Sequence, residues 1–545
     1  LRFENNNDMP ESATDSTAAG LRHEHDLSAF APLRWPVFRM LWFTWLAANT
    51  TMWMNDVAAA WLMTSLAPTP LWVALVQTAS TLPVFLLGLP SGAMADILDR
   101  RRYFMLTQFW VAVIAGLLCI AVLLGVMSAP LLLALTFFNG IGLAMRWPVF
   151  AAIIPEVVPR AQLPAALALN GVSMNSSRII GPLVAGALIA SVGIEWVFVL
   201  NAALSLTAAF IIMRWRREHR ESPLGRERLP RAMRVGLQFV RQSQRMRAML
   251  LRVFLFFLHS TALLALLPLL ARALPGGAAG TFTLLLASMG AGAIVAALSM
   301  PRIRRLLPLE RLVLVGTCVQ SVAALAVAWA PSIYLAVPAM MLAGAAWIAV
   351  ANSLTVATQM ALPDWVRARG MSIYQMALMG STAMGAATWG QIATWTDIHT
   401  SVGVAAVSSV VALLVAQRLV PDRGMEEDLT PSRAMKAPVA QAPPAAGRVQ
   451  VQIEYLIDPA RAAEFEAAMQ ESRRSRMRQG ALAWELLHDL YEPGRYVEQI
   501  TDESWTEHLR RFDRVTTADV VLRDRKLAFH LGETPPVVSR FLLRD

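Results

Sequence analysis

Between Phe38 and Val420 the chain carries about twelve long apolar blocks joined mostly by short connections. No other feature restricts its fold so severely. A membrane-crossing helix needs about 20 mostly apolar residues to span roughly 30 Å of hydrocarbon. The blocks extend over residues 38–64, 71–93, 103–127, 131–153, 163–190, 194–213, 249–271, 279–300, 311–329, 332–352, 371–393 and 400–419. Short joins make neighbouring helices antiparallel. Of the 545 residues, 56% are hydrophobic and only 16% charged, which excludes an ordinary soluble protein. The pattern predicts an all-α polytopic membrane protein with twelve transmembrane helices.

The net charge is +10, and its placement argues against nucleic acid as a partner. Arginines gather in alternate loops: Arg100 to Arg102, Arg160, the run Arg214 to Arg247, Arg302 to Arg311, and Arg367 with Arg369. The intervening loops near 65–70, 127–130, 191–195 and 396–401 carry no Lys or Arg, and Arg272 is the exception. Cations on one side of the bilayer mark the cytoplasm. Both termini are therefore expected inside. Cys119 and Cys318 each sit in an apolar block and imply no disulfide framework. The first 30 residues lack an apolar core, so no cleavable signal peptide is expected there.

The chain divides into a disordered cytoplasmic arm (1–35), a first six-helix bundle (36–213), a basic cytoplasmic linker (214–248), a second six-helix bundle (249–420), a Pro/Ala linker (421–447) and a cytoplasmic tail (448–545). The two bundles read as parallel repeats, six plus six. The loop after the fourth block has Pro155-Glu156 and Arg160, and the loop after the tenth has Pro363-Asp364, Arg367 and Arg369. The loop after the second block carries Asp96 with an arginine cluster; the loop after the eighth has Gly292, then Pro301-Arg302-Ile303-Arg304-Arg305 and no acid. Met233, Leu237 and Val240 recur at helical spacing among arginines, so this part of the linker is expected to lie on the anionic inner leaflet. The tail alternates like a strand over Val449 to Tyr455, has helical spacing over Pro459 to Met477, and continues as strand, turn (Glu492-Pro493-Gly494), strand, helix from Trp505, and strand near Val537 to Leu542. That βαββαβ order predicts a small ferredoxin-like α+β domain.

The string Gly92-Ala93-Met94-Ala95-Asp96-Ile97-Leu98-Asp99-Arg100-Arg101-Arg102 resembles the signature loop G-x-x-x-D-[RK]-x-G-[RK]-[RK] of the major facilitator superfamily. Ile97 and Asp99 depart from it. Further stretches narrow the resemblance: Phe38-Arg39-Met40-Leu41-Trp42, Ala58 to Thr64, Val73 to Gln77, Leu82-Pro83, Pro155-Glu156, Leu169-Asn170-Gly171, Leu267-Pro268-Leu269 and Trp365 to Arg369. Residues 35–420 resemble the transmembrane secretion effector branch, which includes enterobactin exporters. The tail is similar to the dimeric α+β barrel domains of antibiotic-biosynthesis monooxygenases. The resemblance implies alternating access, a bacterial inner membrane, export, and a gate built on Gly92, Asp96, Arg100, Arg101 and Arg102. It also implies loop partners at Glu156, Arg160, Asp364, Arg367 and Arg369. The arginine of proton-coupled drug exporters would fall at Thr136 and is absent. The fifth-helix antiporter motif G-P-x-x-G-G reads Gly181-Pro182-Leu183-Val184-Ala185-Gly186.

Ionisable residues inside the bilayer cost about 2.5–3.5 kcal/mol and need a reason. Asp56, beside Asn55, is the candidate for proton coupling; the bland reading is a wetted acid at the outer rim. Arg178 is placed mid-helix, where a cavity role or a pair with Asp56 is expected. Arg146 is nearer the inner end, where snorkelling is the favoured reading. His259 can titrate near neutrality or simply pack. Asn139 is a candidate cavity polar, as are Asn170, Asn175, Asn201, Gln320, Gln359 and Gln375, with interhelical bonding the usual alternative. Trp147, Trp347 and Trp389 are candidates for an aromatic face, with packing the stronger reading for each. In the tail, Trp505, His508 and His530 allow an oxygenase reading, against which a dimerisation or regulatory domain is favoured. No metal or cofactor motif is present, so no cofactor is expected and an ATP-driven pump is unsupported. The reading is a secondary transporter, not an enzyme, whose partners are a small hydrophobic or amphipathic substrate (siderophore, secondary metabolite or drug), protons and the lipid bilayer. The alternatives are an importer of the same fold, or a membrane-anchored enzyme acting through the tail.

Overall fold

A computed structural model describes residues 30–67, 69–159, 162–215, 229–363, 365–420, 428–432, 434–435, 438 and 447–544. Residues 1–29 of the expected arm, most of the Pro/Ala linker and residues 216–228 lie outside the described residues, and Ala31–Arg34 at the arm's end form a short 3-10 turn rather than disordered chain. Long helices fill the apolar region: α1 (Pro36–Leu66), α2 (Pro70–Ile97), α3 (Arg100–Leu123), α4 (Ala129–Val157), α5 (Leu163–Ser191), α6 (Glu195–Arg214), then, after a shorter α7 (Leu229–Gln242), α8 (Gln244–Ala273), α9 (Ala279–Leu306), α10 (Leu309–Ala328), α11 (Ile333–Met360), α12 (Arg367–Trp395) and α13 (Ile398–Leu419). Their starts are legible as chemistry. Proline opens α1, α2, α4 and α5, where its missing N–H is no loss. Asp99 accepts from the Arg102 N–H at 2.9 Å and caps α3, and Asp397 caps α13.

Ten of these helices are long and apolar enough to cross a membrane by length and composition. The two long helices that fall short are α1 and α12. Asn49, Asn55, Asp56 and several threonines dilute α1; Gln375, Gln391, serines and threonines dilute α12. Much of this polarity is turned inward: Thr44, Asn49, Thr51 and Asn55 are buried, as is Ser381.

The helix pairs are α1·α5, α2·α4, α3·α6 and α1·α6 within the first set, and α8·α12, α9·α11, α10·α13 and α8·α13 within the second. Across the sets, α2 runs against α12 and α5 against α9. Glycines set the tightest crossings. A Cβ on Gly292 of α9 would lie 1.8 Å from the Met341 carbonyl oxygen of α11, and one on Gly344 of α11 would lie 1.9 Å from the Met289 carbonyl oxygen of α9.

The apolar cores differ at the two ends of the bundle. At the end opposite the tail, one continuous core joins both sets, with Met54, Val57, Met63, Phe198, Leu267, Leu270, Phe282 and Leu285 in contact. At the tail end the sets have separate cores. Phe38, Trp45, Phe104 and Phe150 belong to one; Val253, Phe256, Leu354 and Tyr374 belong to the other. Among the described residues, the halves therefore share one apolar core at the far end and have separate cores at the tail end, while α2 and α12 stay in contact as far as Gly88 and Met376.

The tail contains β1 (Val449–Leu456), α14 (Ala462–Arg478), β2 (Ala483–His488), β3 (Arg495–Asp502), α15 (Trp505–Asp513), α16 (Thr517–Leu527) and β4 (Val537–Leu542). The four strands form one antiparallel sheet in the order β2-β3-β1-β4. The second helical stretch is split in two. Thr516 and Asp519 form a capping box there that starts a fresh helix.

Helix α7 differs from the expectation of a leaflet-bound helix. Its Phe239 and Val240 pack on Met246, Leu362 and Val366, with Phe239 edge-on to Trp365 at 5.8 Å. Its other face meets the tail: Arg234 pairs with Glu503 at 2.9 Å, and the Gln238 amide donates to the Ala481 carbonyl at 2.7 Å. Protein covers Phe239 and Val240, whereas Leu237 of the expected stripe is exposed. The Arg514 guanidinium stacks on Trp365 at 5.1 Å, so the tail also touches the loop between α11 and α12.

Candidate functional site between the two helix sets

The site lies on α1, α5 and α11, where the shared core gives way to the separate ones. Gly181 lets α5 approach α1 closely, since a Cβ there would be 2.5 Å from the Trp53 Cβ. One turn earlier on α5, Arg178 is held between two indoles. Its guanidinium lies 5.4 Å from the Trp53 ring of α1 and 4.4 Å from the Trp347 ring of α11. The first ring comes from one helix set and the second from the other. Trp347 is itself braced edge-on by Phe257 of α8 at 5.4 Å. The Nε and Nη1 of Arg178 are buried without a hydrogen-bond partner, and no carboxylate pairs with it among the described residues. A guanidinium clamped on its faces keeps its in-plane donors free for an anion.

Asp56 does not pair with Arg178. It accepts from the Ser80 hydroxyl of α2 at 3.0 Å and is partly accessible. Asn55 turns the other way, accepting from Asn201 of α6 at 3.4 Å, and Ser205 donates to Asn201 at 3.2 Å. It belongs to a polar chain inside the first set rather than to the seam with Arg178. Asn139 is buried with its Oδ1 unpartnered.

Arg146 does not snorkel. It is 1% exposed, donates to the Ala48 carbonyl at 3.1 Å and lies over Trp45 at 5.3 Å. His259 stands apart, with Nδ1 2.7 Å from the Leu255 carbonyl and its ring tilted on Trp389. It borders a water-sized cavity of about 10 Å³ between α8, α10 and α13, with Gln320, Ser321 and Ser409. Trp147 packs edge-on to Trp45, and the Trp389 indole donates to the Leu258 carbonyl.

The far end is sealed by contacts the sequence did not announce. Trp61 of α1 stacks on Phe282 of α9 at 6.0 Å. Arg272 donates to the Thr64 carbonyl at 2.8 Å and lies over Trp61 at 4.9 Å. That occupation accounts for the one arginine out of place in the loop pattern. The Leu71 N–H donates to Thr394 at 3.2 Å, closing α2 on α12.

At the tail end, Arg100 pairs with Glu156 at 2.5 Å, and Arg101 donates to the Ile212 and Met213 carbonyls at the end of α6. Arg367 reaches the Leu362 carbonyl, and Arg369 faces Gly236 of α7. The surroundings of Gly92 and the side chains of Asp96 and Asn175 lie outside the described residues, as do Arg160 and Asp364.

In the tail, His508 is 2% exposed, takes a bond from Arg540 at Nε2 and meets Asp502 at 2.8 Å through Nδ1. His530 is likewise engaged, with the Leu456 N–H and the Thr534 carbonyl. Burial and full engagement favour packing over oxygen chemistry. A second buried network joins Glu498 to Lys526, Ser472, Trp484 and Tyr455. Burial alone would raise the Glu498 carboxyl, but the Lys526 ammonium and Arg476 guanidinium, with bonds from Trp484 and Ser472, hold it down at about 2.

The family model described as "transmembrane secretion effector" matches residues 27–545, the tail included. The chain belongs to this family of major facilitator transporters. It is 28% identical over 202 residues to an uncharacterized MFS-type transporter of Bacillus subtilis (strain 168), covering 35% of this chain and 46% of that one. It is 20% identical over 254 residues to the staphyloferrin A transporter of Staphylococcus aureus (strain NCTC 8325 / PS 47), covering 46% and 63%. It is 27% identical over 145 residues to a putative multidrug resistance protein of Salmonella typhi, covering 27% and 30%. The chain thus spans less than two thirds of the length of these relatives. Among solved structures, a POT family transporter in complex with 5-aminolevulinic acid matches with a TM-score of 0.59 at 12% identity, over 71% of this chain and 96% of that one. The nucleoside transporter NupG (D323A mutant) matches with a TM-score of 0.58 at 13% identity, over 70% and 99%. The family, relatives and neighbours are transporters, not enzymes.

Proposed function

We propose that the protein is a twelve-span secondary transporter that exports small amphipathic compounds by alternating access. Arg178, clamped between Trp53 and Trp347 with free in-plane donors, is the observation that carries this reading. A cargo with an anionic group and an apolar or aromatic body fits such a site, and siderophores belong to that class. The staphyloferrin A transporter and the multidrug resistance protein among the relatives support the same range of cargo.

Each helix pair in the first set has a counterpart six long helices later, and α2·α12 mirrors α9·α5. This supports a six-plus-six repeat. The arginine-rich loops and the tail favour a cytoplasmic placement of the tail end in a bacterial inner membrane, with both termini inside. On that orientation the separate cores at the tail end support an inward-facing state. Asp56, reachable near the seam, is the proposed proton carrier; one proton entering gains about 2.3 kcal/mol per 100 mV. Asp96 with Arg100, Arg101, Arg102 and the Arg367/Arg369 loop is the proposed gate of the opposite state. The strand order β2-β3-β1-β4 supports a ferredoxin-like tail with a dimerising or regulatory role.

The test is comparative mass spectrometry of cells and spent medium for a deletion strain complemented with wild type or Arg178→Gln. A compound retained in the deletion strain, released with wild type and retained with Arg178→Gln establishes export through this site. A compound left unconsumed in the deletion medium reverses the direction to import.

A further inference from the structure

A cavity of about 390 Å³ opens at the tail end, outside the seam between the helix sets, lined by Arg241, Gln242, Gln244, Arg247 and Arg474. The three arginines come from the end of α7, the start of α8 and the last third of α14, so bundle and tail both contribute. None of the three has a carboxylate partner among the described residues, and the lining holds no acid. A neighbouring cavity of about 410 Å³ shares Gln242, Gln244 and Arg474. Its acids are committed elsewhere: Glu471 to Arg525, Asp519 to Thr516 and Ser475, and Asp428 to the Thr430 N–H. Arg245, on the same turn of α8, adds a guanidinium whose Nε is buried without a partner.

Like charges converging from three elements repel unless something anionic sits among them. Guanidinium forks match phosphate oxygens in pairs, and backbone folded this way presents several forks to one point. The cavity volume lies within the range of small-molecule sites. We propose that this junction binds a phosphate group, carried by an anionic lipid headgroup or by a soluble phosphate compound, and that the bound group ties the tail to the transporter body. Basic pockets at the inner rim of a helix bundle are suited to anionic headgroups. Pyrophosphate-like ligands present the same oxygens from the aqueous side. The proposal stands apart from the cargo site at Arg178 and from the direction of transport.

The experiment uses the purified full chain in neutral detergent, with native mass spectrometry and titration of three probes: dioctanoyl phosphatidylglycerol, dioctanoyl phosphatidylcholine and inorganic pyrophosphate. Phosphatidylglycerol or pyrophosphate is expected to bind at low salt, more tightly than phosphatidylcholine. Each of Arg241→Gln, Arg247→Gln and Arg474→Gln is expected to weaken that binding about tenfold. Tight phosphatidylglycerol with no pyrophosphate binding assigns a lipid; the reverse assigns a soluble phosphate. Binding of neither probe above the phosphatidylcholine level overturns the proposal. So does unchanged binding in Arg474→Gln, a variant on an exposed residue whose folding is checked by its elution profile.

Discussion

At the residue scale, the arrangement around Arg178 makes charge insufficient. Two indole faces grip a planar, delocalised cation at 5.4 and 4.4 Å. A lysine keeps the charge but neither the plane nor the fork. Arg178→Lys is therefore expected to export no better than Arg178→Gln at equal expression, measured as cargo accumulation in cells. Asp56→Asn separates driving from binding. In proteoliposomes it is expected to abolish transport driven by a pH gradient while leaving cargo exchange at zero gradient; gradient-driven transport at wild-type rate sinks the coupling role. The sequence marked Arg178 and Asp56 because a charge in an apolar block stands out. It could not mark Trp53, since a tryptophan in a hydrophobic helix looks like any other until its neighbour is known. Asn55 illustrates the converse: adjacent to Asp56 in the chain, it points about 100° away around the helix and serves α6 instead. Asp99, a departure from the signature loop, has a plain structural task as the cap of α3.

At the scale of elements, the twelve long helices were legible because period and length are local properties, whereas their partners were not. Helix ends extended beyond the apolar blocks, as α8 shows by starting at Gln244 within the expected linker. The spacing in α7 shows that an apolar face needs covering but not what covers it: Phe239 and Val240 meet protein, and Leu237 does not. The crossing of α9 and α11 leaves no room for a side chain at either glycine. Gly344→Val is expected to cost about 3 kcal/mol, visible as a lowered unfolding temperature in detergent, while Gly116→Val, with nothing within 4 Å of its Cβ, leaves it unchanged. The far-end seal makes a conformational prediction. Trp61→Ala removes both the stack on Phe282 and the platform for Arg272. In a background with Cys119 and Cys318 replaced by alanine, a cysteine at Thr78, whose hydroxyl donates across the seam to the Ala383 carbonyl at 2.9 Å, should react faster with an impermeant thiol reagent applied outside. An unchanged rate overturns the seal.

At the scale of the molecule, the tail is held by charges that acid removes. Burial alone would raise Asp502, but Arg511, with bonds from His508 and Arg511, overrides it and holds the carboxyl at about 2, as Glu498 is held. Both are depressed below their unfolded values near 4, so their contribution is full above that pH and is lost as pH falls towards 2. Each contributes on the order of 2 kcal/mol. Hydrogen exchange of tail peptides in the full chain, with times scaled for intrinsic rate, should show protection constant from pH 7 to 5 and falling below 4. The strand pattern of the tail could be read residue by residue; the Glu498 network could not, because Lys526, Ser472 and Tyr455 lie 28, 26 and 43 positions from it. Asp502 is joined to His508 and Arg511 across a strand-to-helix turn whose geometry the sequence does not fix.

The two core arrangements carry a pharmacological consequence. A molecule with one apolar core shared by both halves at one mouth and separate cores at the other has its thicker apolar barrier between Arg178 and the first side. On the orientation proposed above, a competitive blocker aimed at Arg178 is expected to act from inside the cell, since a compound confined to the medium meets the shared core first.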